Sequence, residues 1–524
     1  MKDEIKALGA KWNKPVEKKW SLGSKSIPID LVRFVDRNNL QVDPQLEDRF
    51  LAIRKSLEAA NINLEHLKAT SEKNLKIFID KPTMSGKTLM KHQKEFLKEF
   101  VNNDFNILNA LFVGGGKSKM SIIAAKLLES NIVLVVPPSL FDNWQNELTD
   151  CLAEAEMYSY AKMPEVVDGN FVLICDEAHL YQSMNSQRTQ KMLNLSSAPN
   201  CLGTILLTGT PMRNGEPRNI LPLLTAIKHP VAKNRTEFEI RYCEAGPTRF
   251  TKWDTSGSAN LDELYEKTKN SIFTRNRKDC LDLPEFTRVF KDVEPDSKVL
   301  SWYQNQLRKL KADFYRRAEE GEIKSFETED GRIIPMAKHL AFLSYARRLS
   351  SYAKIPYTLE LIDELTKDGS QVIVFTWFNG VAEEIAKRLN CNSITGKTPK
   401  KNRQPFVDAF QNGENKVICN TFGAGGVGLN MQAGDYLILV DRDHVPAYYE
   451  QAEGRAYRAG RTQPVTSIWL NATFHDVDRV IDQIILDKQE RIDLVMKGKR
   501  KSFKRLDTFE SLAPDLLGSL FDFE

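Results

Sequence analysis

The chain has 524 residues, of which 41% are hydrophobic and 27% charged, and its formal net charge is +4. This length exceeds what one hydrophobic core supports, so we expect several domains, and the ordinary composition excludes a wholly disordered chain. The near-neutral charge neither requires nor excludes nucleic acid. The seven cysteines form no CxxC pair and no apolar run approaches a membrane span, so we expect a soluble, intracellular protein with reduced thiols.

The first predicted elements are short. Residues 1–26 are basic and place Trp12 and Trp20 on either side of a proline, which predicts a small β-rich module. Residues 27–84 are polar with a helical pattern, and we interpret them as a helical linker.

From residue 85 onward, apolar strands alternate with amphipathic helices, which is typical of parallel α/β layers. We assign 85–295 to a first lobe and 351–475 to a second. Between them, 296–350 is helical, charged and without strand runs. Residues 476–524 form an amphipathic helix and a tail with a basic run. The predicted fold class is therefore α/β: two tandem parallel-sheet lobes, a helical insertion and a small N-terminal α+β module.

A glycine-rich turn in the first lobe follows an apolar run and precedes a helix, which is the context of a phosphate-binding loop. Its backbone amides would meet the phosphates of ATP, its lysine would neutralise them, and its serine hydroxyl would bind Mg²⁺. The loop consists of Gly114, Gly115, Gly116, Lys117 and Ser118.

Two nearby features were weighed with this loop. Ser85-Gly86-Lys87-Thr88 has a similar composition but no preceding apolar strand, so we do not expect it to bind phosphate. Gln93 precedes the loop and has an amide suited to an adenine edge, although a solvent-exposed helical glutamine is the alternative.

The apolar run 172–175 ends in the DEAH sequence that begins with Asp176 and Glu177. Asp176 would hold Mg²⁺, directly or through water, and Glu177 would orient and deprotonate the attacking water. His179 could pack or could link to the next motif. That motif follows another strand, and its Thr208 and Thr210 hydroxyls would couple nucleotide state to a bound polymer.

The second lobe contains a loop rich in glycine and small polar residues, which suits close approach to a phosphate backbone or to the nucleotide. Its candidate residues are Thr421, Gly425 and Gly428. Farther on, Gln451, Arg455 and Arg458 lie on a predicted helix with the two arginines one turn apart. Such guanidiniums stabilise a transferring phosphoryl group, so closure of the two lobes would complete an ATP site.

These residues resemble helicase superfamily 2, and within it the Swi/Snf-type DNA translocases, over roughly 85–495. The resemblance rests on LTGTPMRN (207–214), TFGAGGVGLNMQAGDYLILVD (421–441) and QAEGRAYRAGRTQPVTSIWL (451–470). It implies that both lobes are RecA-like and that DNA is the track. The 7–20 segment is similar to the small module of annealing helicases (HARP-type), while a hairpin with two packed tryptophans is equally consistent.

The resemblance also implies DNA contacts. The segment with Pro138, Ser139 and Trp144 looks like the one that grips a DNA strand, and Thr376 matches a position with a backbone-contacting or structural role. The chain departs from the family pattern at Phe112-Val113, which replaces an acidic pair, at His444-Val445-Pro446, and at Arg461, which stands where a glutamine is usual.

We therefore expect an ATP-dependent translocase on double-stranded DNA, with ATP and Mg²⁺ as cofactors, that remodels or reanneals DNA or displaces proteins. The alternatives are a strand-separating DNA or RNA helicase and a catalytically inactive nucleic-acid-binding scaffold. We expect a monomer without membrane contact. A bacterial or virus-infected cytoplasm is the expected location, or the nucleus if the source is eukaryotic.

Overall fold

The computed structural model describes residues 10–13, 19–22, 32, 35, 36, 40–42, 44–59, 64–247, 252–320, 325–327, 333–335, 339–425, 429–475 and 477–498. They form two units. The first holds the residues up to Met212, Glu216–Cys280 and Val495–Gly498, and the second holds Arg213–Gly215 and Leu281–Leu494. None of the helices in the described ranges is long and apolar enough to span a bilayer.

The N-terminal described residues form an antiparallel pair of strands. β1 (Ala10–Asn13) pairs with β2 (Lys19–Leu22), and Trp12 and Trp20 are direct Cα partners in this register. Both described segments are thus β, while the assignment of 1–26 to an annealing-helicase module stays a prediction.

The first unit is built on a parallel sheet whose strands are β3 (Asn106–Asn109), β4 (Asn131–Val135), β5 (Glu156–Tyr158), β6 (Phe171–Cys175), β7 (Cys201–Leu207) and β8 (Ile272–Phe273). They pair in the order β5-β4-β6-β7-β3-β8. Every residue of β6 and β7 is buried, because a parallel sheet has helices on both faces, and this explains the continuous apolar runs in the sequence.

The helices of this unit lie before, between and after these strands. Their bounds are Pro44–Ala59, Leu64–Phe78, Lys91–Asn102, Lys117–Lys126, Phe141–Asp150, Gln187–Ser196, Leu221–Ala226, Arg235–Cys243, Leu261–Thr268 and Arg277–Cys280.

The second unit has its own six-stranded parallel sheet, made of β9 (Phe286–Val293), β12 (Val372–Thr376), β13 (Asn392–Ile394), β14 (Val417–Thr421), β15 (Tyr436–Leu439) and β16 (Val465–Ala472). The order is β13-β14-β12-β15-β16-β9. The accompanying helices are Ser297–Glu319, His339–Ala353, Ile355–Thr366, Asn379–Leu389, Lys400–Gln411, Phe422–Gly425, Ala447–Ala456 and most of Val477–Lys497.

Alternate residues of β12 show that this sheet is covered on both faces. Ile373 and Phe375 belong to one buried apolar cluster, and Val372 and Val374 belong to another. Successive side chains of a strand point to opposite faces, so the two clusters lie on opposite sides of the sheet. The predicted α/β class with two parallel-sheet lobes is confirmed.

Two details differ from the sequence interpretation. The first lobe was expected to extend to 295, but β9 pairs along its whole length with β16, so this strand belongs to the second sheet. The segment 296–350 was expected to lack strands, but β10 (Ser325–Glu327) and β11 (Ile333–Pro335) form an antiparallel pair within it. β9 is mostly exposed, and β10 and β11 have three residues each, so none of these strands has the long apolar run that predicts a buried strand.

Candidate active site and nucleic-acid segments

A glycine-rich loop connects β3 to the next helix of the first unit. Gly114 and Gly116 have φ angles of +86° and +74°, which residues with a Cβ rarely adopt. A Cβ on Gly116 would overlap the Gln93 amide, and one on Gly115 would overlap the Leu111 side chain. Only glycine fits these positions, and the loop ends at a helix N-terminus, where backbone amides bind phosphate.

Lys117 and Ser118 are the first two residues of that helix. The Lys117 ammonium donates hydrogen bonds to the carbonyls of Leu111 at 2.9 Å and Phe112 at 3.1 Å, so it lies across the loop that it would serve. Ser118 is half-buried beside it. The pair is placed as a phosphate loop requires, with a cation for the terminal phosphates and a hydroxyl for Mg²⁺.

Gln93 is buried and packs against the glycine loop. Its Oε1 accepts from the Met90 backbone N–H at 3.0 Å, and its Nε2 donates to the Gly115 carbonyl at 3.4 Å. Nε2 of His92 lies 3.1 Å from the same carbonyl. The alternative of a solvent-exposed glutamine is therefore wrong, whereas recognition of adenine by Gln93 stays a prediction.

Asp176 follows β6, and N–H donors hold both of its carboxylate oxygens. Oδ1 accepts from the Glu177 backbone at 2.8 Å, and Oδ2 accepts from the Trp144 indole at 2.9 Å. Removal from water, and then the Glu177 charge, raise the pKa of Asp176 to about 6, while the Lys117 ammonium acts in the opposite direction. Lys117 thus lies within electrostatic range of Asp176, as one nucleotide site requires.

Glu177 has a left-handed backbone, with φ of +49°. A residue with a Cβ is held in this region at an energetic cost, and such residues cluster at functional sites. Its Oε2 lies 3.1 Å from Nδ1 of His179, and the same ring nitrogen lies 3.3 Å from Oγ1 of Thr208. His179 therefore links the acidic motif to the threonine motif.

Thr208 and Thr210 follow β7 and are buried. The Thr208 hydroxyl accepts from the Thr210 backbone at 3.1 Å, and the Thr208 backbone N–H donates to the Asn109 carbonyl at the end of β3. Within the described chain, the buried Thr210 hydroxyl has no hydrogen-bond partner. Thr208 contacts both the end of β3 and His179 of the acidic motif, and the coupling role of the two threonines stays a prediction.

The donor groups fit a magnesium nucleotide. The Ser118 hydroxyl and the Asp176 carboxylate are the hard oxygen ligands that Mg²⁺ prefers, and the loop amides with Lys117 suit a polyphosphate. Across the described ranges there is no group of three or more His, Cys, Asp or Glu side chains able to hold a metal.

The predicted helix through the arginine pair is shorter than expected. It spans Ala447–Ala456, so it carries Gln451 and Arg455 but ends before Arg458. The prediction that both arginines lie one turn apart on a helix is wrong, because Tyr457, with φ −88° and ψ 84°, has left the helical conformation.

The two arginines have different surroundings within the second unit. Arg455 is buried and donates to the Leu429 carbonyl at 3.4 Å, whereas Arg458 is half-buried and donates to the Asn430 side chain at 3.4 Å. Both therefore sit beside the glycine-rich segment of this unit. Arg458 is the more accessible, and a catalytic function for the pair stays a prediction.

Arg461 stands where a glutamine is usual in the family. It is buried and bound to its own unit: Nη2 donates to Asp435 at 2.5 Å and to the Pro464 carbonyl at 3.2 Å, and Nε donates to the Gln463 carbonyl at 2.8 Å. Its function is structural, and it carries no information about the partner.

Of the residues that were predicted to contact DNA in the first unit, two are exposed and one is buried. Pro138 and Ser139 are exposed in a short turn after β4 and remain candidates. Trp144 is only 2% exposed and its indole N–H is bonded to Asp176, so the prediction that its side chain grips DNA is wrong. The fold turns the side chain of Trp144 inward, toward Asp176.

The residues that were predicted to contact DNA in the second unit are mostly buried. Thr376 is fully buried, and its hydroxyl donates to Asp441. Thr421 is 5% exposed. The side chains of both threonines are thus buried, and their DNA contacts stay predictions. Gly425 is buried against Asn420 and has no side chain, so its contact stays a prediction. Gly428 lies outside the described residues.

The sequence analysis did not predict one hydrogen bond in the first unit and two buried ion pairs in the second. The Tyr160 hydroxyl donates to the Asp176 carbonyl and supports the acidic motif. In the second unit, the fully buried Lys354 donates to Asp478 at 2.6 Å, and Arg442 donates to Asp482 at 2.5 Å and 2.8 Å. These partners are far apart in sequence, so no local pattern reveals them.

Two family profiles match this chain. The SNF2-related domain matches residues 158–341, and the helicase conserved C-terminal domain matches residues 353–460, so that together they cover more than half of it. The chain belongs to the SNF2-related family of helicase superfamily 2. The expected family is thereby confirmed.

Individual SNF2-related relatives are distant. The SWI/SNF-related matrix-associated actin-dependent regulator of chromatin subfamily A-like protein 1 homolog of Caenorhabditis elegans is 26% identical over 72% of this chain and 57% of its own length. The DNA annealing helicase and endonuclease ZRANB3 of Bos taurus is 27% identical over 57% of this chain and 28% of its own length. The chain thus spans little more than half, or less, of these relatives.

A solved structure also aligns with the chain. It is the Sulfolobus solfataricus SWI2/SNF2 ATPase core in complex with dsDNA, with 18% identity and a TM-score of 0.35, over 80% of this chain and 99% of that one.

Proposed function

We propose that this SNF2-related chain hydrolyses ATP to translocate on double-stranded DNA, and thereby remodels or reanneals DNA or displaces bound proteins. The observation that supports this most is the acidic motif. Its Asp176 carboxylate is fixed by two N–H donors, and the adjacent Glu177 is bridged through His179 to Thr208.

The residues of the first unit would perform separate tasks. The loop amides and Lys117 bind the phosphates, and Ser118 and Asp176 bind Mg²⁺, which when present neutralises phosphate charge. Glu177 orients a water molecule and accepts its proton. Because His179 contacts both Glu177 and Thr208, the position of this base depends on the threonine motif.

The arginines of the second unit would supply charge to the same reaction. A guanidinium on the transferring phosphoryl group accelerates hydrolysis by roughly 10³–10⁵. Since Arg455 is buried and Arg458 is half-buried, we assign the direct contact to Arg458 and a supporting position to Arg455. Hydrolysis would then require both units, which is how a motor couples chemistry to movement.

Duplex DNA is the proposed track. The relatives named above include a DNA annealing helicase, and the exposed Pro138 and Ser139 lie on the segment that resembles a DNA grip. Contacts with the phosphate backbone do not read sequence, so binding should weaken steeply with salt. We further propose that the chain acts as a monomer, where the cell keeps its DNA: the cytoplasm of a bacterium or infected cell, or a nucleus.

The test measures ATP hydrolysis with duplex DNA, forked DNA, single-stranded DNA and RNA at equal nucleotide concentration. We expect the greatest stimulation with duplex or forked DNA and a triplex-displacement signal without strand separation. Best stimulation by RNA, or separation of strands, would instead support a helicase. No hydrolysis with any of them by folded protein would support a scaffold.

Two variants of the proposed nucleotide site, each with a matched control variant at an exposed residue of the same type, test the assignment of the site. Lys117→Ala should abolish hydrolysis, whereas Lys87→Ala, in the similar but exposed SGKT segment, should not. Glu177→Gln should abolish hydrolysis but retain ATP binding, whereas exposed Glu165→Gln should change neither. Loss of activity in Lys87→Ala with activity retained in Lys117→Ala would show that the wrong loop had been chosen.

A further inference from the structure

The indole of Trp144 connects two functional segments of the first unit. Its N–H donates to Oδ2 of Asp176 at 2.9 Å, and the side chain is only 2% exposed. Oδ1 of the same carboxylate accepts from the Glu177 backbone at 2.8 Å. A carboxylate held at both oxygens has a fixed plane, and its remaining lone pairs are available to a cation.

Trp144 lies on the helix that follows the exposed turn of Pro138 and Ser139. Its helix, Phe141–Asp150, begins directly after that turn. Leu140 and Leu148, on either side of Trp144 in sequence, are buried in the same apolar cluster. The turn and the helix are therefore anchored together, and displacement of the turn would move the indole.

The backbone provides a second connection between these segments. β4 leads into the turn, and Val135 at its end pairs with Cys175 at the end of β6. The Asp176 N–H donates to the Val135 carbonyl at 2.9 Å. Asp176 is thus held by the backbone before the turn and by the side chain after it.

We propose that Trp144 is a positioning residue that orients the Asp176 carboxylate for Mg²⁺ and transmits duplex DNA contact at Pro138 and Ser139 to the metal-binding end of the nucleotide site. This inference rests on the function proposed above. Packing alone would need only an aromatic ring, whereas orientation needs the N–H. The Trp144→Phe variant separates packing from orientation, because phenylalanine fills much of the volume of the indole but has no N–H to donate to Asp176.

The experiment compares the full chain with Trp144→Phe and with Leu148→Ala, a variant in the same helix and cluster. Calorimetry measures Mg²⁺ affinity at saturating ADP, and ADP affinity is measured in EDTA. We expect Trp144→Phe to weaken Mg²⁺ binding by about tenfold, the lower end for loss of a group that orients a metal ligand, and to leave metal-free ADP binding unchanged. Leu148→Ala should be less stable but should bind Mg²⁺ normally.

A second measurement tests whether DNA contact at Pro138 and Ser139 changes Mg²⁺ binding through Trp144. Duplex DNA should increase the Mg²⁺ affinity of the ADP-bound chain, and Trp144→Phe should abolish this increase. Unchanged Mg²⁺ affinity in folded Trp144→Phe overturns the positioning, and an unchanged DNA effect overturns the transmission. If wild-type hydrolysis does not respond to DNA, the proposed function fails, while the Mg²⁺ result still decides the positioning.

If Trp144→Phe does not fold, the wild-type chain labelled with ¹⁵N-tryptophan replaces it. One of the seven indole N–H resonances should then shift when Mg²⁺ is added to the ADP-bound chain. The absence of any shifted indole resonance overturns the proposal.

Discussion

Replacing Asp478 with asparagine should loosen the second unit, because its carboxylate neutralises an ammonium that has no access to water. Lys354 is 0% exposed and donates to Asp478 at 2.6 Å and to two backbone carbonyls at 2.8 Å and 3.2 Å. Asp478 also accepts from the Ala472 N–H at 2.9 Å. The pair therefore joins the helix Val477–Lys497 to the carboxyl ends of β15 and β16.

The magnitude follows from what the substitution leaves behind. Removal of one partner of a buried ion pair costs about 3–5 kcal/mol, since the other charge stays buried without compensation. An asparagine oxygen can still accept one hydrogen bond, so we expect about 3 kcal/mol for Asp478→Asn. The double variant Lys354→Met with Asp478→Leu removes both charges and should recover most of this loss.

Hydrogen exchange measured by mass spectrometry reports the two units separately. In Asp478→Asn, amides of β15, β16 and Val477–Lys497 should exchange roughly a hundredfold faster, because 1.4 kcal/mol corresponds to a factor of ten. Amides of β6 and β7 in the first unit serve as an internal control. Unchanged exchange in the single variant, or greater loss in the double variant than in the single one, would refute the reasoning.

Three further outcomes are expected. Arg458→Ala should lower turnover by about 10³ without changing thermal unfolding. Arg461→Ala should instead lower stability by about 2–3 kcal/mol, because it removes a charge-assisted hydrogen bond to the half-buried Asp435; the reverse pattern would exchange their assignments. Gly116→Ala should weaken fluorescent ATP binding at least about tenfold, whereas Gly86→Ala, at a similar φ of +76° but in open space, should not, and equal effects would remove the phosphate loop from the site. Burial would raise the pKa of Asp478, but neighbouring cations hold it well below its usual range, so its stabilising contribution is present above about pH 3.9 and is lost as pH falls through the folded value. Acid titration of unfolding should therefore be flatter for Asp478→Asn.

Sequence patterns predicted the presence of buried strands better than the residues at which the strands end. The run Phe171–Cys175 was predicted as a strand and is one, because a strand buried on both faces must be apolar throughout. The apolar run before the glycine-rich loop is a strand only as far as Asn109, and residues 110–113 connect β3 to that loop. Apolar residues that line a loop cannot be distinguished locally from those in a strand.

The errors in the site have a common physical cause, which is contact between distant residues. Trp144 was assigned to DNA because of its segment, yet the fold places its indole on Asp176. Spacing predicted a helical arginine pair, yet the helix ends at Ala456. The direction of a side chain and the end of a helix depend on tertiary packing, which a local pattern does not contain.

The pairing of β9 with β16 determines where the second unit could be separated from the chain. A fragment that begins at residue 351 would lack β9 and would turn the buried, eight-residue β16 into an open edge. Such an edge offers unpaired N–H and C=O groups to other chains and favours aggregation. A fragment that begins near Leu281 retains β9 as the native edge strand. The first strand of the second unit in sequence therefore covers β16, the last strand of the same sheet.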